Sequence, residues 1–315
     1  MTAKVRIIVV ALILTAMLAL CRSGAAKTDP TPPITAGPII ADTAVPIATG
    51  HFALQPFWGL SFTGGNFSRS WRATSAGGDY ASFVTLLRLT YGPVENVEIY
   101  AAIPATQNWA GGLNRPEAGN RAADFGGLGD ILLVGKYQLF PETDRRPAIT
   151  PTINVTFPTG HAAHLNPGRL GTDDLGSGAY TFSGGLLLSK WLSPFYLYAN
   201  LYYGLPTQAP SRVKQNEFGP LLPGVMNRGQ ISFNLAGEWV LSRRWVALLE
   251  FYSTWEVGPL IGRRNGPPAM LLSLLPGLEF ILSPRLNLEA GLAVDLAGKN
   301  SPYNLTPIVT AIFNF

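Results

Sequence analysis

Hydrophobic and polar residues alternate with a period of two along most of this chain. The clearest example is RLNLEAGLAVDLAG (285–298), and the same alternation runs through TPIVTAIFNF (306–315) to the last residue. Alternation of this kind indicates a β-strand whose two faces meet different surroundings. About twelve such segments follow residue 50, so the sequence predicts an all-β protein. The predicted strands are 51–62, 80–91, 95–104, 130–139, 148–157, 179–190, 195–204, 230–241, 245–256, 270–281, 285–298 and 305–315.

The breaks between these strands differ in length in a regular order. Breaks such as SRR (242–244) are short, whereas 105–129, 158–178 and 205–229 are long and rich in small or polar residues. Short turns at one end and long loops at the other are typical of outer-membrane barrels, whose tilted strands of ~10 residues match a bilayer. Residues 49–315 are therefore predicted to form a transmembrane antiparallel up-and-down β-barrel of about 12 strands, with periplasmic short turns.

Two other folds fit this pattern less well. A soluble β-sandwich would bury the charged residues of the polar strand faces in its core, at several kcal/mol for each charge. A helical membrane protein needs a spanning segment, and the mature candidate at 266–284 contains Pro276, Gly277 and Glu279 at its centre. We therefore favour the barrel.

The first 26 residues have the features of a secretory signal peptide. Lys4 and Arg6 precede an apolar run at 7–20, and GAA (24–26) supplies small residues for cleavage. An uncleaved anchor and a lipoprotein modified at Cys21 are the alternatives. Cleavage lowers the formal net charge from +4 to +1, so the charge of the mature chain gives no indication of a nucleic-acid partner. Cleavage also removes the single cysteine. The Pro-rich segment 27–48 is interpreted as a tail or linker, or as a segment folded into a barrel mouth.

The polar faces of the strands predict the lining of the lumen. Acids outnumber bases there, so an open pore is expected to prefer cations, and the tyrosines could stack a ring-bearing solute. The predicted lining residues are Arg88, Glu98, Lys136, Tyr196, Tyr198, Tyr202, Glu238, Glu250, Tyr252, Glu256, Glu279, Arg285, Glu289 and Asp295.

Few residues indicate other chemistry. HAAH (161–164) has the spacing of a metal site but lies in a predicted loop without a third ligand, and GTDDLG (171–176) indicates a turn more than a divalent-ion site. No serine is placed to meet His51, as a lipid-modifying barrel enzyme would require. We predict no catalytic residue, no metal ligand and no cofactor.

Several stretches resemble those of one known family. GGLGDILLVGKYQLF (126–140) and PAITPTINVTFPTG (147–160), preceded by ADTAVPIATGHFALQPFW (41–58), are similar to the MetA-pathway-of-phenol-degradation family. These proteins are outer-membrane barrels described as transporters. The resemblance implies passive uptake of small hydrophobic or aromatic molecules across the outer membrane of a Gram-negative bacterium. A structural or surface-interaction barrel with a plugged lumen is the alternative.

The end of the chain suggests how such a barrel is assembled. Phe313 and Phe315 lie on the apolar face of the last strand. A terminal strand of this kind resembles the signal that the barrel-assembly machinery recognises, and an aromatic ring suits the membrane interface. The expected partners are therefore this machinery, outer-membrane lipid and lipopolysaccharide, and a small-molecule solute.

Overall fold

The computed structural model describes residues 35–112, 122–162, 165–207, 215–216, 219–220, 228–257 and 267–315. It confirms the predicted architecture, a closed antiparallel barrel of 12 strands in which each strand pairs with its neighbours in sequence. The strands are β1 (Phe52–Phe67), β2 (Ala73–Tyr91), β3 (Val97–Gly111), β4 (in two parts, Ala123–Leu128 and Ile131–Tyr137), β5 (Ala148–Phe157), β6 (Thr181–Leu192), β7 (Phe195–Pro206), β8 (Gly229–Val240), β9 (Trp245–Val257), β10 (Met270–Ser283), β11 (Leu286–Lys299) and β12 (Ser301–Asn314). A 3₁₀ turn at Pro167–Arg169 and a two-residue pairing of Gln215–Asn216 with Gly219–Pro220 lie in the loops.

The first and last strands close the barrel. Their pairing continues to the final residue, where the Phe315 amide donates to the Phe52 carbonyl over 2.8 Å and the Phe52 amide donates back over 3.2 Å. Closure satisfies the backbone groups that a free edge would expose, which a strand needs in lipid. Phe315 is therefore held in the sheet by two backbone hydrogen bonds.

Strand β4 is interrupted at Gly129 and Asp130, where a loop is attached to the wall. The Asp130 carboxylate accepts hydrogen bonds from the amides of Gly160 (2.9 Å) and Ser177 (2.6 Å). A Cβ on Gly160 would lie 2.6 Å from the Leu175 carbonyl oxygen, so the close approach requires glycine there. The GLGD and FPTG motifs of the sequence thus meet at one structural junction.

Two loops that the sequence predicts are much shorter in the structure. Residues 63–79, predicted as a loop, mostly extend β1 and β2, leaving a turn at 68–72. Asn300 alone separates β11 from β12, with φ of 50°. Gly, Ser and Asn are poor strand formers, but the paired neighbouring strand outweighs that preference here. We call the end that carries the turns 92–96, 138–147, 193–194, 241–244 and 284–285 the short-turn end.

The strands point apolar side chains outward and polar side chains inward, the opposite of the arrangement in a soluble protein. Ile153, Leu201 and Val309 point outward with 73%, 52% and 51% of their surface exposed, whereas their neighbours Thr152, Asn200 and Thr310 are buried. Such an apolar belt is typical of barrels that span a membrane. Exposed aromatic residues accompany the belt, for example at Phe52, Trp245 and Trp255. These faces argue against a soluble sandwich.

The segment weighed above as a membrane helix is a strand instead. Met270–Ser283 pairs with β9 on one side and β11 on the other. Within the residues that the structure describes, no helix has the length and apolar character needed to span a membrane.

Candidate functional site: a segment bound inside the barrel

Residues 35–48 lie inside the barrel, and we call them the plug segment. They form neither helix nor strand, and they precede β1, with contacts to Glu98, Gln138 and Ser189 near the short-turn end. Ile39, Ala41 and Ala44 are each buried in a separate cluster with residues of the wall. Residues 35–48, the part of the Pro-rich segment that the structure describes, fold into the barrel.

One side of the lumen holds the backbone of the plug segment through carboxylates. Glu250 on β9 accepts hydrogen bonds from three consecutive amides, those of Ile39 (2.6 Å), Ile40 (3.1 Å) and Ala41 (2.8 Å). Glu279 on β10 accepts from the Ala36 amide over 2.8 Å. Hydrogen bonds to a charged acceptor are stronger than those between neutral groups. Each of these two carboxylates therefore holds the segment by its backbone, and these contacts do not depend on which side chains the segment carries.

Neutral side chains of the wall also form hydrogen bonds to the backbone of the plug segment, at Asp42 and Ala44. Asn200 on β7 accepts from the Asp42 amide (2.7 Å) and donates to the Asp42 carbonyl (2.9 Å), as a paired strand would. The Ser189 hydroxyl accepts from the Ala44 amide over 2.8 Å, and Thr150 and Gln138 donate to the Ala44 carbonyl. The buried backbone of the segment is thus satisfied by the wall.

The opposite side of the lumen binds the one charged side chain of the plug segment. The Asp42 carboxylate lies 3.0 Å from Lys136 Nζ on β4 and 3.1 Å from Arg88 Nη1 on β2. It also accepts hydrogen bonds from the hydroxyls of Tyr100 (2.9 Å) and Tyr202 (3.2 Å). Burial alone would raise the pKa of Asp42, but the charges of Lys136 and Arg88 outweigh it and hold that pKa well below its usual value.

Ile39 fits a notch that two glycines create in the wall. Gly277 on β10 and Gly291 on β11 face each other across the strand pair. A Cβ at these positions would lie 3.2 Å and 3.1 Å from Ile39 Cδ1. Ile39 also packs against Val246, Leu275 and Ile308. The wall is therefore shaped for this side chain.

A cavity of ≈ 270 Å³ lies beside the plug segment, toward the short-turn end. Its lining includes Arg88, Glu98, Tyr196 and Tyr198 of the wall as well as residues of the plug segment. At the other end, the Thr172 carbonyl of the loop after β5 accepts a hydrogen bond from the lumen-facing Asn108 over 2.9 Å. Loop residues therefore also reach into the barrel.

Most of the predicted lining residues are buried in the barrel. Eight are no more than 5% exposed: Glu98, Lys136, Tyr198, Glu238, Glu250, Glu279, Glu289 and Asp295. Arg88, Tyr202 and Tyr252 are partly buried, and Glu256 accepts from the Ala269 amide near the ends of β9 and β10. Arg285 requires a correction, because it lies exposed in the turn between β10 and β11, where the strand alternation has ended. The cation preference of an open pore stays a prediction.

The predicted tyrosine wall contacts the protein itself. Tyr196 and Tyr198 stack on each other with ring centroids 5.4 Å apart, and Tyr198 packs on Ala41. Tyr202 packs in the cluster of Ala44, and Tyr252 in that of Ile39. The rings therefore hold the plug segment in this state.

Several functional residues were not predicted from the sequence. Asp42, Tyr100 and Asn200 all belong to the contacts of the plug segment. Tyr100 and Asn200 lie in predicted strands, so the alternating pattern could have suggested them. Asp42 is the only charged residue between 35 and 48. That fact points to a binding role only when the segment is known to lie inside the barrel.

The remaining motifs form local contacts. His161 Nδ1 lies 2.7 Å from the Asp173 carbonyl oxygen, and the Asp173 carboxylate accepts from the Asn166 amide. His164 lies outside the described residues. Among those that are described, no group of three or more His, Cys, Asp and Glu residues could hold a metal ion. At the chain end, Phe313 is partly buried and Phe315 is 68% exposed.

Comparisons with known proteins bear on the fold. The structure is similar to the crystal structure of the COG4313 outer membrane channel from Pseudomonas putida F1, with a TM-score of 0.69 over 89% of this chain and 100% of that chain, at 14% sequence identity. The fold is that of an outer-membrane barrel. The CymD monoaromatic hydrocarbon channel (TM-score 0.46, 12% identity, 85% of this chain and 89% of that chain) is more distant. No protein-family model matches the sequence, and no curated protein matches it.

Proposed function

We propose that this protein is an outer-membrane channel for the passive uptake of small hydrophobic or aromatic molecules, and that the plug segment closes it in the state described here. The observation that carries the proposal is how the lumen is filled. Barrels of about eight strands can be filled by their own wall side chains, and this one has 12. Here a separate segment lies inside the lumen and is bound to the wall on both sides.

The plug segment could leave the lumen without unfolding the wall. The strands of the wall are hydrogen-bonded to one another, and the segment is held mainly by side chains. It would uncover charged and polar groups of the wall, which water could hydrate, and also the apolar notch around Ile39, whose exposure costs free energy. Segments with these properties open locally at a lower free energy than the surrounding sheet.

The solute class in this proposal comes from the sequence resemblance. The aromatic lining at Tyr196, Tyr198 and Tyr202 supports it, because aromatic rings offer faces to ring-bearing solutes. The proposal places the protein in the outer membrane of a Gram-negative bacterium after removal of residues 1–26. Lipid and lipopolysaccharide would surround the apolar belt, and the barrel-assembly machinery would recognise Phe313 and Phe315.

A structural barrel with a permanently plugged lumen is the second candidate. The observation that favours it is the number of contacts to the plug segment, which include the buried pairing of Asp42 with Lys136. Permanent closure and reversible closure differ in whether any solute passes.

Uptake by whole cells separates the two candidates, because lipopolysaccharide slows the direct entry of hydrophobic compounds. The full chain is expressed in a Gram-negative host that lacks its major porins, and the initial uptake of radiolabelled naphthalene is measured. Maltose is the polar control solute, and a chain lacking residues 35–48 is the open reference. We expect expression to increase naphthalene uptake several-fold. Unchanged uptake for both chains, at confirmed outer-membrane levels, would favour the structural barrel.

A further inference from the structure

The groups that surround Asp42 form a receptor for one carboxylate. We propose that Arg88, Lys136, Tyr100 and Tyr202 are a binding site for a small organic carboxylate, and that Asp42 occupies this site when the channel is closed. The inference rests on the proposed function, since it names one substrate class for that channel: solutes that carry a carboxylate, aromatic acids among them.

The contacts to Asp42 come entirely from the wall. Lys136 and Arg88 both contact Oδ1, at 3.0 Å and 3.1 Å, while the Tyr100 and Tyr202 hydroxyls donate to Oδ2. The four side chains lie on β2, β3, β4 and β7. Two cations and two hydroxyl donors directed at two oxygens are the chemistry that recognises a carboxylate. Another carboxylate could therefore take the place of Asp42.

Other contacts of the wall hold the cations when Asp42 is absent. Glu98 Oε1 lies 2.9 Å from Lys136 Nζ and 3.3 Å from Arg88 Nη2. The Arg88 guanidinium also lies 3.7 Å from the centre of the Tyr100 ring. Such support keeps the site in the geometry that binds, which reduces the cost of ordering on binding.

The charge balance of the site also favours an anion. With Asp42 bound, the two cations face the two carboxylates of Asp42 and Glu98. Without Asp42, they share only Glu98, and one positive charge stays uncompensated in a largely buried position. An uncompensated buried charge is costly, so an incoming carboxylate would be stabilised there.

A small molecule can reach the site from the neighbouring cavity. Arg88 and Glu98 line the cavity of ≈ 270 Å³, as do Tyr196 and Tyr198. The side chain of Arg88 retains 23% of its exposure beside Asp42. A carboxylate with an aromatic ring could thus approach the cations while its ring lies near the two tyrosines.

Asp42 competes strongly because it is tethered to the barrel. A tethered ligand has an effective concentration in the mM range, so a free carboxylate would bind the intact protein weakly. When a free carboxylate does bind, it displaces Asp42 and removes one anchor of the plug segment. The channel would then be opened by a member of its own solute class.

Calorimetric titration of benzoate into the purified mature protein tests this site. Asp42→Asn removes the competing charge with little change of shape, and Asp144→Asn is the matched control, since Asp144 is exposed in the turn after β4. We expect the Asp42→Asn protein to bind benzoate about tenfold more tightly than the wild type or the control, as loss of a tethered competitor requires. Benzamide, the neutral isostere, should not show this gain.

A second change locates the site on the wall. Adding Arg88→Gln to Asp42→Asn should abolish the gain, with heat-modifiable migration on gels confirming a folded barrel. Equal benzoate affinity in wild type and Asp42→Asn, or equal binding of benzoate and benzamide by Asp42→Asn, would overturn the proposal. Benzoate binding without naphthalene uptake would support the carboxylate site and contradict the proposed channel. Naphthalene uptake without benzoate binding would support the channel and contradict the carboxylate site.

Discussion

Two sides of the lumen hold the same segment by different chemistry. The basic wall, made of Arg88, Lys136 and Tyr100 on β2 to β4, binds the side chain of Asp42. The acidic wall, made of Glu238, Glu250, Glu279 and Glu289 on β8 to β11, binds backbone amides through Glu250 and Glu279. The basic wall therefore recognises the Asp42 side chain, whereas the carboxylates of the acidic wall bind backbone amides and its strands β10 and β11 hold the Ile39 side chain.

The two walls also differ in how completely their charges are compensated. Every cation of the basic wall contacts a carboxylate. Glu289 of the acidic wall lies directly across the strand pair from Glu279, it is 2% exposed, and its carboxylate has no hydrogen-bond partner among the described residues. Two buried carboxyl groups that face each other with no cation between them cannot both carry a charge without a large cost. We therefore expect the basic wall to supply the stronger hold on the plug segment.

The largest effect should follow from removing the buried cation of the basic wall. Lys136→Met leaves Arg88 as the one cation that contacts the carboxylates of Asp42 and Glu98 among the described residues, and breaking a buried pair costs about 3–5 kcal/mol. We expect the plug segment to leave the lumen far more often. The measurement is the rate at which a thiol reagent labels Ala44→Cys, because Ala44 is fully buried in the plugged state. An unchanged rate would mean that the basic wall does not hold the segment.

A packing change at the Ile39 notch, on β10 and β11, should have the next largest effect. Ile39→Ala empties the notch between Gly277 and Gly291, and such truncations cost about 2–4 kcal/mol. Ile40→Ala is the matched control, because its side chain is 39% exposed. We expect faster Ala44→Cys labelling for Ile39→Ala alone. Equal rates for the two variants would show that the notch contributes little.

The carboxylates of the acidic wall should show a smaller effect. Glu250→Gln keeps an acceptor oxygen but loses the charge and places an amide donor near two of the three amides. We expect a weakening of about 1–2 kcal/mol, from the difference between charged and neutral hydrogen bonds. Glu95→Gln in the exposed turn before β3 is the control. A loss larger than that of Lys136→Met would reverse the ranking of the walls.

The smallest effect is expected from mild acid. The pKa of Asp42 is lowered in the folded protein, so its ion pairs stabilise the plug above its unfolded pKa of about 3.9 and are lost only as the pH falls toward the lower folded pKa. The ratio of the Ala44→Cys labelling rates of the Asp42 and Asp42→Asn proteins should stay constant from about pH 8 to about pH 5, because the thiolate fraction of the cysteine cancels in the ratio. A ratio that falls to one in this range would contradict the ion-pair account.

The sequence predicts the walls but not what lies between them. Alternation places Glu250, Glu279 and Lys136 on inward faces, because a strand in a barrel wall has only two directions for its side chains. Arg285 was misplaced because alternation gives no signal where a strand ends. Residues 35–48 have no periodicity, so their position depends on contacts with residues far along the chain. The role of Asp42 followed only from the structure.

The central claim is that the plug segment closes the lumen, and single-channel recording in planar bilayers tests it most directly. The mature protein is compared with a chain lacking residues 35–48, after both are shown to be folded. We predict rare openings for the intact protein and a mean current at least about tenfold larger for the shortened one, as expected for a water-filled barrel. Equal currents would contradict the account and place the closure elsewhere, for example in the loop that binds Asn108 through Thr172.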